Sequence, residues 1–290
     1  MTSPVRSLSV SLLMLACTVP LALAVPTVRP GYAVGRITRP DGQPVAGAVV
    51  RVEGTNDLGG LQSFTANTDA QGYYEQRLVG GIYRIQAWVP RSYNGVTGYI
   101  LSAEPTQGGD DDEFDTHKGG IRRDFVWKTQ GLKPGRQPGP GKNYYGGWGQ
   151  VLLGSPKSDD RPAFARFPTD ARVELTFTPA GPLVDGRTGR AVTVTLAGVN
   201  PKTLSEVNDW GSAALGTYQD MPTGRYTVTA RFITPAGAVP ARVGAYVMSG
   251  AVGGATVWLA PAAQQVIQWQ PNLTDLTARS VQDINLYVLP

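Results

Sequence analysis

The sequence has one cysteine, Cys17, and one histidine, His117. The cysteine sits in an apolar leader, so the chain beyond it offers no thiol, no disulfide and no thiolate metal site. A single histidine argues against a zinc centre of the peptidase kind, which needs several His and carboxylate ligands around a water. Charged residues are only 17% of the chain and the formal net charge is +4. That balance is too mild for the basic footprint of a nucleic-acid binder. No stretch carries a helical period with caps.

What is plentiful is punctuation. The 36 Gly and 23 Pro recur at short intervals between short apolar runs, the pattern of an all-β protein. Residues 1–24 read as a signal peptide. MTSPVR is followed by the apolar run SLSVSLLMLACTVPLALA, which ends Ala22-Leu23-Ala24 in an A-x-A cleavage pattern. Pro20 interrupts the run and its length is marginal for a membrane span. The expected product is exported, to the periplasm, cell surface or exterior, with no transmembrane span in the mature chain. Lipidation at Cys17, behind the imperfect lipobox Met14-Leu15-Ala16, is the alternative. Cleavage removes Arg6 and leaves 25 basic against 22 acidic residues, a formal +3.

Residues 25–130 read as one β unit. Strand signals run over 32–38, 47–53, 61–67, 73–77, 82–89, 96–101 and 121–128. In the fifth, Tyr83, Ile85, Ala87 and Val89 alternate with Arg84, Gln86 and Trp88, a period of two. Residues 131–165 open with GLKPGRQPGPGK and read as an extended linker or long loop. The NYYGGWGQVLLGS that follows leaves open which neighbour it packs on. Residues 166–290 read as a second β-sandwich, opening with the alternating ARVELTFT over 171–178. The two units share a hairpin pattern. Gly72-Tyr73-Tyr74 leads to Gly81-Ile82-Tyr83-Arg84-Ile85-Gln86-Ala87, and Gly216-Thr217-Tyr218 leads to Gly224-Arg225-Tyr226-Thr227-Val228-Thr229-Ala230. A turn reverses the chain, and the return strand buries Tyr, then Ile or Val, then Ala. The expected fold is two tandem β-sandwiches.

The stretch Gly35-Arg36-Ile37-Thr38-Arg39-Pro40-Asp41-Gly42-Gln43-Pro44-Val45-Ala46-Gly47-Ala48-Val49-Val50 resembles the opening of carboxypeptidase regulatory-like domains. Thr68-Asp69-Ala70-Gln71-Gly72-Tyr73, Leu78-Val79-Gly80-Gly81-Ile82-Tyr83 and Asp124-Phe125-Val126 resemble three later motifs of that family, in order. The resemblance covers about residues 31–128 and departs at Arg39, where the family pattern has an acidic or small residue. It implies a seven-stranded, transthyretin-like sandwich of the carbohydrate-binding-like fold group. In the second unit only 216–230 fits, at the hairpin.

Three residue sets are candidates for chemistry. GGDDDEFDTHKGG (108–120) holds five carboxylates and His117. Asp110, Asp112 and Asp115 are candidate calcium ligands, because hard cations collect carboxylate oxygens. The competing expectation is a solvated acidic crossover. His117 formally permits a Ser-His-Asp triad, but no G-x-S-x-G elbow accompanies it. Tyr144, Tyr145 and Trp148 are candidates for a ring platform that stacks on a sugar, with structural rings at the sandwich ends or the seam as the alternative. Asn272-Leu273-Thr274 is a glycosylation sequon. Together these residues point to an exported, non-enzymatic envelope or extracellular protein, structural, adhesive or carbohydrate-binding. Its expected partners are a glycan or envelope polymer, or a protein paired through edge strands. A secreted hydrolase acting on polysaccharide or peptide, and a calcium-stabilised module, are the rival expectations.

Overall fold

The computed structural model describes residues 25–107, 112–133, 135–139, 143–154, 167–168, 170–199, 213–247, 257–269 and 283–290. The leader with Cys17, and the sequon at Asn272, lie outside the described residues. Among those described there is no α-helix, only one 3₁₀ turn at Thr116–Lys118. No helix among them is long and apolar enough to cross a membrane, which says nothing of a β-barrel.

The first sheet contains β1 (Tyr32–Thr38), β2 (Val49–Asn56), β3 (Leu61–Asn67), β4 (Tyr73–Arg77), β5 (Gly81–Tyr93), β6 (Val96–Pro105) and the two-residue strands β7 (Phe114–Asp115), β8 (Ile121–Arg122) and β9 (Phe125–Val126). Its order is β3-β2-β5-β6-β9-β1-β4, with β7 on β5 and β8 on β1. The second contains β10 (Gly147–Leu153), β11 (Ala171–Pro179), β12 (Val192–Val199), β13 (Ala213–Met221), β14 (Arg225–Thr234), β15 (Gly237–Val247), β16 (Val257–Ala262), β17 (Gln265–Gln268) and β18 (Ile284–Leu289). Its order is β12-β11-β14-β15-β18-β10-β13. The two paths are one permutation applied twice: each strand of the first has its counterpart at the same place in the second. Each sheet folds on itself into a sandwich, and buried side chains of both join one apolar cluster.

Local chemistry explains the motifs of the first unit. Asp69 Oδ1 accepts from the backbone N–H of Gln71 and of Tyr73, both at 2.9 Å. Gly72 follows at φ +79°, a conformation costly for a side chain. That turn delivers β4. Thr68 Oγ1 accepts from Ala48 N–H at 2.8 Å and donates to the Val45 carbonyl at 2.6 Å, fixing the entry to β2. Asp124 Oδ1 accepts from Arg36 N–H at 2.7 Å, so the expected strand over 121–128 breaks into β8 and β9. The alternation in β5 holds only in part. Tyr83, Ile85 and Val89 are fully buried, but Gln86 and Trp88, on the opposite face, are buried too.

The aromatic segment belongs to the second sheet. β10 runs antiparallel to β13 and parallel to β18, as β1 runs with β4 and β9. It is that sandwich's opening strand. The described residues at the two ends of the Gly/Pro/Lys stretch before it are tied together. Leu132 bridges Tyr144, Lys133 N–H donates to the Asn143 carbonyl at 2.9 Å, and Tyr145 N–H donates to the Gly131 carbonyl at 3.0 Å. Asp220, at φ +56°, accepts from the N–H of Gly131 at 2.7 Å and of Gly146 at 3.3 Å, holding both ends of the loop. Burial raises its carboxyl pKa against the lowering effect of those two bonds.

One device recurs in both units. Tyr74 on β4 crosses over Gly35 on β1, its register partner, and donates to the Arg123 carbonyl at 2.7 Å. Tyr218 on β13 crosses over Gly149 on β10 and donates to the Ile284 carbonyl. Burial pushes both phenols far above the ordinary tyrosine range, so they stay protonated donors.

Candidate functional site

The acidic segment is seen from Asp112 onward; Asp110 lies outside the described residues. Asp112 is exposed and its carbonyl accepts from Arg123 Nη1 at 3.1 Å. Asp115 caps the 3₁₀ turn, accepting from His117 N–H at 2.9 Å. The same Oδ1 lies 2.9 Å from His117 Nδ1, while Asp57 Oδ2, from the β2–β3 turn, lies 3.0 Å from Nε2. Carboxylates accept and do not donate, so both contacts are hydrogen bonds only when both ring nitrogens carry protons, which is the imidazolium form. Its pKa is raised, first by the hydrogen bond to Asp115 and then by the charge of Asp57. In that protonated form His117 has no lone pair to take a proton from a nucleophile, which a triad base must have. The ring also stands between the two carboxylates, and among the described residues no group of three or more His, Cys, Asp or Glu is placed to hold a metal ion. A groove of about 420 Å³ lies beside this clamp, lined by Ile82, Glu113, Phe114, Asp115, Lys118 and Ile121.

The clamp makes a pH prediction. The His117 contribution is present below the ordinary imidazole value of 6.5 and is lost as pH rises through the raised folded value. The pKa of Asp115 is lowered, first by the bond from His117 N–H, so its contribution is lost as pH falls through that lowered value. As the only histidine, His117 gives one clean NMR titration. Its midpoint is expected above 6.5, falling most in Asp115→Asn and less in Asp57→Asn. A midpoint that ignores both substitutions contradicts the clamp.

The candidate sugar platform is partly committed elsewhere. Tyr145 is 8% exposed. Lys128 Nζ and Lys133 Nζ lie 5.4 and 5.9 Å from its ring centre. Tyr144 and Trp148 are half-buried, and the indole Nε1 of Trp148 is buried without a hydrogen-bond partner. The glycines between them serve the core. A Cβ on Gly147 would lie 2.3 Å from the Trp269 ring, and one on Gly146 would lie 2.6 Å from the Met221 carbonyl oxygen. A sugar would meet Tyr144 and Trp148 before Tyr145.

The seam between the units was not visible in the sequence. Tyr93, at the end of β5, donates to the Pro182 carbonyl at 2.9 Å and accepts from Arg225 N–H at 2.8 Å. Thr129 Oγ1 lies 2.9 Å from Asp185 Oδ2, and the Thr129 carbonyl accepts from Thr223 N–H at 3.1 Å. Asn94 reaches Gln268 at 3.2 Å. Thr129 and Thr223 are 2% and 0% exposed, so the backbone bond between them is desolvated and costly to leave unmade. The turn-rich excursion over 181–190 is therefore a docking element for the first unit. No motif announces this, because its hydrogen-bond partners lie 56 and 89 residues away.

No family model matches the chain, and no curated protein matches it. Solved structures do. The TIE protein of Bacillus anthracis is 12% identical with a TM-score of 0.32, over 82% of this chain and 31% of that one. A streptococcal ancillary pilin is 12% identical with a TM-score of 0.25, over 88% of this chain and 61% of that one. The major pilin subunit of Bacillus cereus is 13% identical with a TM-score of 0.23, over 89% of this chain and 84% of that one. The chain thus spans less than two thirds of the first two structures.

Proposed function

We propose that this chain is an exported, non-enzymatic protein of the cell envelope or exterior, with a structural or adhesive role. The division into a leader over 1–24 and two sandwiches belongs to the same reading. The observation that carries it is the His117 clamp: the one imidazole in the sequence is held between Asp57 and Asp115, with both nitrogens occupied. The Tyr145 ring and the glycines beside it are likewise used in packing. What remains is two cores joined by buried and part-buried hydrogen bonds, an arrangement suited to bearing load or presenting a surface. An activity screen of the mature protein on polysaccharides and peptides is expected to find no turnover. Turnover abolished by His117→Ala or Asp112→Asn would overturn the reading in favour of a hydrolase.

One observation favours adhesion to a protein partner. Leu58 and Leu61 are 95% and 87% exposed at the turn entering β3, an outermost strand of its sheet. Exposed apolar side chains on an unpaired edge are what strand addition uses. The carbohydrate version is the alternative on Tyr144, Tyr145 and Trp148. Polysaccharide pull-down separates the two. Retention lost in Trp148→Ala but kept in Leu61→Lys selects the glycan.

A further inference from the structure

The two end strands of the first sheet are unlike. β4 carries Glu75 and Arg77. β3 reads LQSFTAN, with no charge and no proline, the devices that blunt an edge. Its ladder with β2 runs through seven residue pairs without a register shift. Its counterpart β12 meets β11 with a shift at Ala171/Val173. Asn56 N–H donates to the Gly60 carbonyl and Thr68 N–H to the Ala48 carbonyl, both at 2.9 Å, and these bonds bracket the β2–β3 ladder. Bonded and unbonded pairs alternate between them. Gln62, Phe64 and Ala66 therefore bond β2, and the backbone groups of Leu61, Ser63, Thr65 and Asn67 point away from the sheet. Those four are the exposed residues of the strand. Among the described residues no other backbone group bonds them.

The strand is complementary to itself. Set β3 antiparallel to β3 of a second copy, with a two-fold axis at Phe64. Ser63 then stands opposite the partner's Thr65 and Leu61 opposite the partner's Asn67, and outward backbone groups face each other in every such pair. Behind each strand stands β2, where Arg51 is the register partner of Thr65 and Glu53 of Ser63. The row across the joint reads Arg51, Thr65, the partner's Ser63, the partner's Glu53. Arg51 already leans over the edge, its Nε donating to Ser63 Oγ at 3.1 Å. An axis at Ser63 instead puts Glu53 in line with the partner's Glu53, and one at Thr65 puts Arg51 in line with the partner's Arg51. Opposite charges therefore select the Phe64 axis. There the Phe64 ring, half-buried and 6.0 Å from the Tyr83 ring, meets its mate in a non-hydrogen-bonded pair, where side chains stand closest. β3 itself supplies what this edge lacks: a bare backbone edge, an apolar residue opposite Phe64 and an acid in line with Arg51.

We propose that two copies of this chain join through β3, antiparallel about a two-fold axis at Phe64, so that one sheet runs across both first sandwiches. The proposal rests on the protein-partner reading of this edge given above and names the partner as a second copy. Pairing covers Phe64 and sets Leu61, 87% exposed in the single chain, against the partner's Asn67 and the partner's Thr65. β12, with its register shift, takes no part.

The test is sedimentation equilibrium of the full mature chain, joined to cysteine cross-linking. A dimer is expected at about 100 µM, returning to monomer on dilution. Thr65→Lys places a cation on both sides of the axis and is expected to weaken association at least about tenfold. Its melting point, read at dilutions where both proteins are monomers, should match that of the native chain. Thr193→Lys, at an exposed position on β12, should leave association as it was. Removing the leader removes Cys17, so introduced thiols are the only ones. Ser63→Cys and Thr65→Cys, mixed and oxidised, are expected to give a covalent heterodimer on a non-reducing gel. Each alone should stay monomeric there, because Ser63 comes opposite Thr65 and not opposite itself. A monomer up to about 100 µM, or association weakened as much by Thr193→Lys as by Thr65→Lys, overturns the proposal. So does cross-linking of either cysteine variant alone at the level of the mixture. A monomer leaves the β3 edge to a different protein, and the envelope reading is judged separately by the turnover screen above.

Discussion

Gly149→Ala is expected to unfold the second sandwich under conditions where the native chain is stable. A Cβ at that position would stand 1.8 Å from the Ile284 carbonyl oxygen and 2.7 Å from the Tyr218 hydroxyl. Both obstacles belong to the device that closes the sandwich: Tyr218 donates to that same carbonyl across the glycine. To admit one methyl group, β18 must retreat from β10 and the buried hydrogen bond must break. Overpacking together with a lost buried donor puts the cost at about 4 kcal/mol or more. Gly35→Ala is expected to do the same to the first sandwich, where the Cβ would lie 1.9 Å from the Arg123 carbonyl oxygen. The control is Gly198→Ala on β12, whose nearest neighbour is 3.9 Å away. It should be neutral or stabilising by about 0.5 kcal/mol. Chemical denaturation followed by near-UV circular dichroism reads all three. A Gly149→Ala protein as stable as Gly198→Ala contradicts the packing described.

The second large effect is at Trp269. Its ring is fully buried, with Tyr226, Tyr218 and Phe177 at 5.5, 6.0 and 6.3 Å between centroids. Gly147 lies against it with no side chain to move into a vacancy. Trp269→Ala therefore opens a cavity that cannot collapse, at a cost of about 3–5 kcal/mol. Trp269→Phe keeps most of the contact and should cost about half as much. Thermal unfolding of both variants checks this. A small loss in the alanine variant would show that the core refills.

The sequence revealed the sandwiches through local chemistry. The Asp69–Gly72 turn, the Thr68 latch and the paired hairpins ending at Ala87 and Ala230 each write their geometry within a few residues. The hairpin match was the visible part of a longer correspondence, since β4–β5 and β13–β14 hold the same places in their sheets. β10 escaped recognition because GWGQVLL lacks a clean alternation. Its glycines answer to Trp269 and Ile284, more than 100 residues away. Starting the second unit near residue 166 hid the likeness between Gly35 and Gly149. The His117 clamp was equally hidden. Asp115 is a neighbour, but Asp57 lies 60 residues away, and nothing in a run of acidic residues says which one will cap a turn. The seam depends on Tyr93, Thr129 and Pro182, unremarkable residues that gain meaning only when two folded surfaces meet.

Amide hydrogen exchange across β10 is the most direct test. If the chain is one sandwich topology used twice, the amides of Val151–Leu153 exchange as slowly as those of Leu286–Val288, their partners in register. In Gly149→Ala both groups should lose protection together while Ala33–Ile37 keep theirs. Fast exchange over Gly147–Leu153 in the native chain, at the rate of a free linker, would contradict the account.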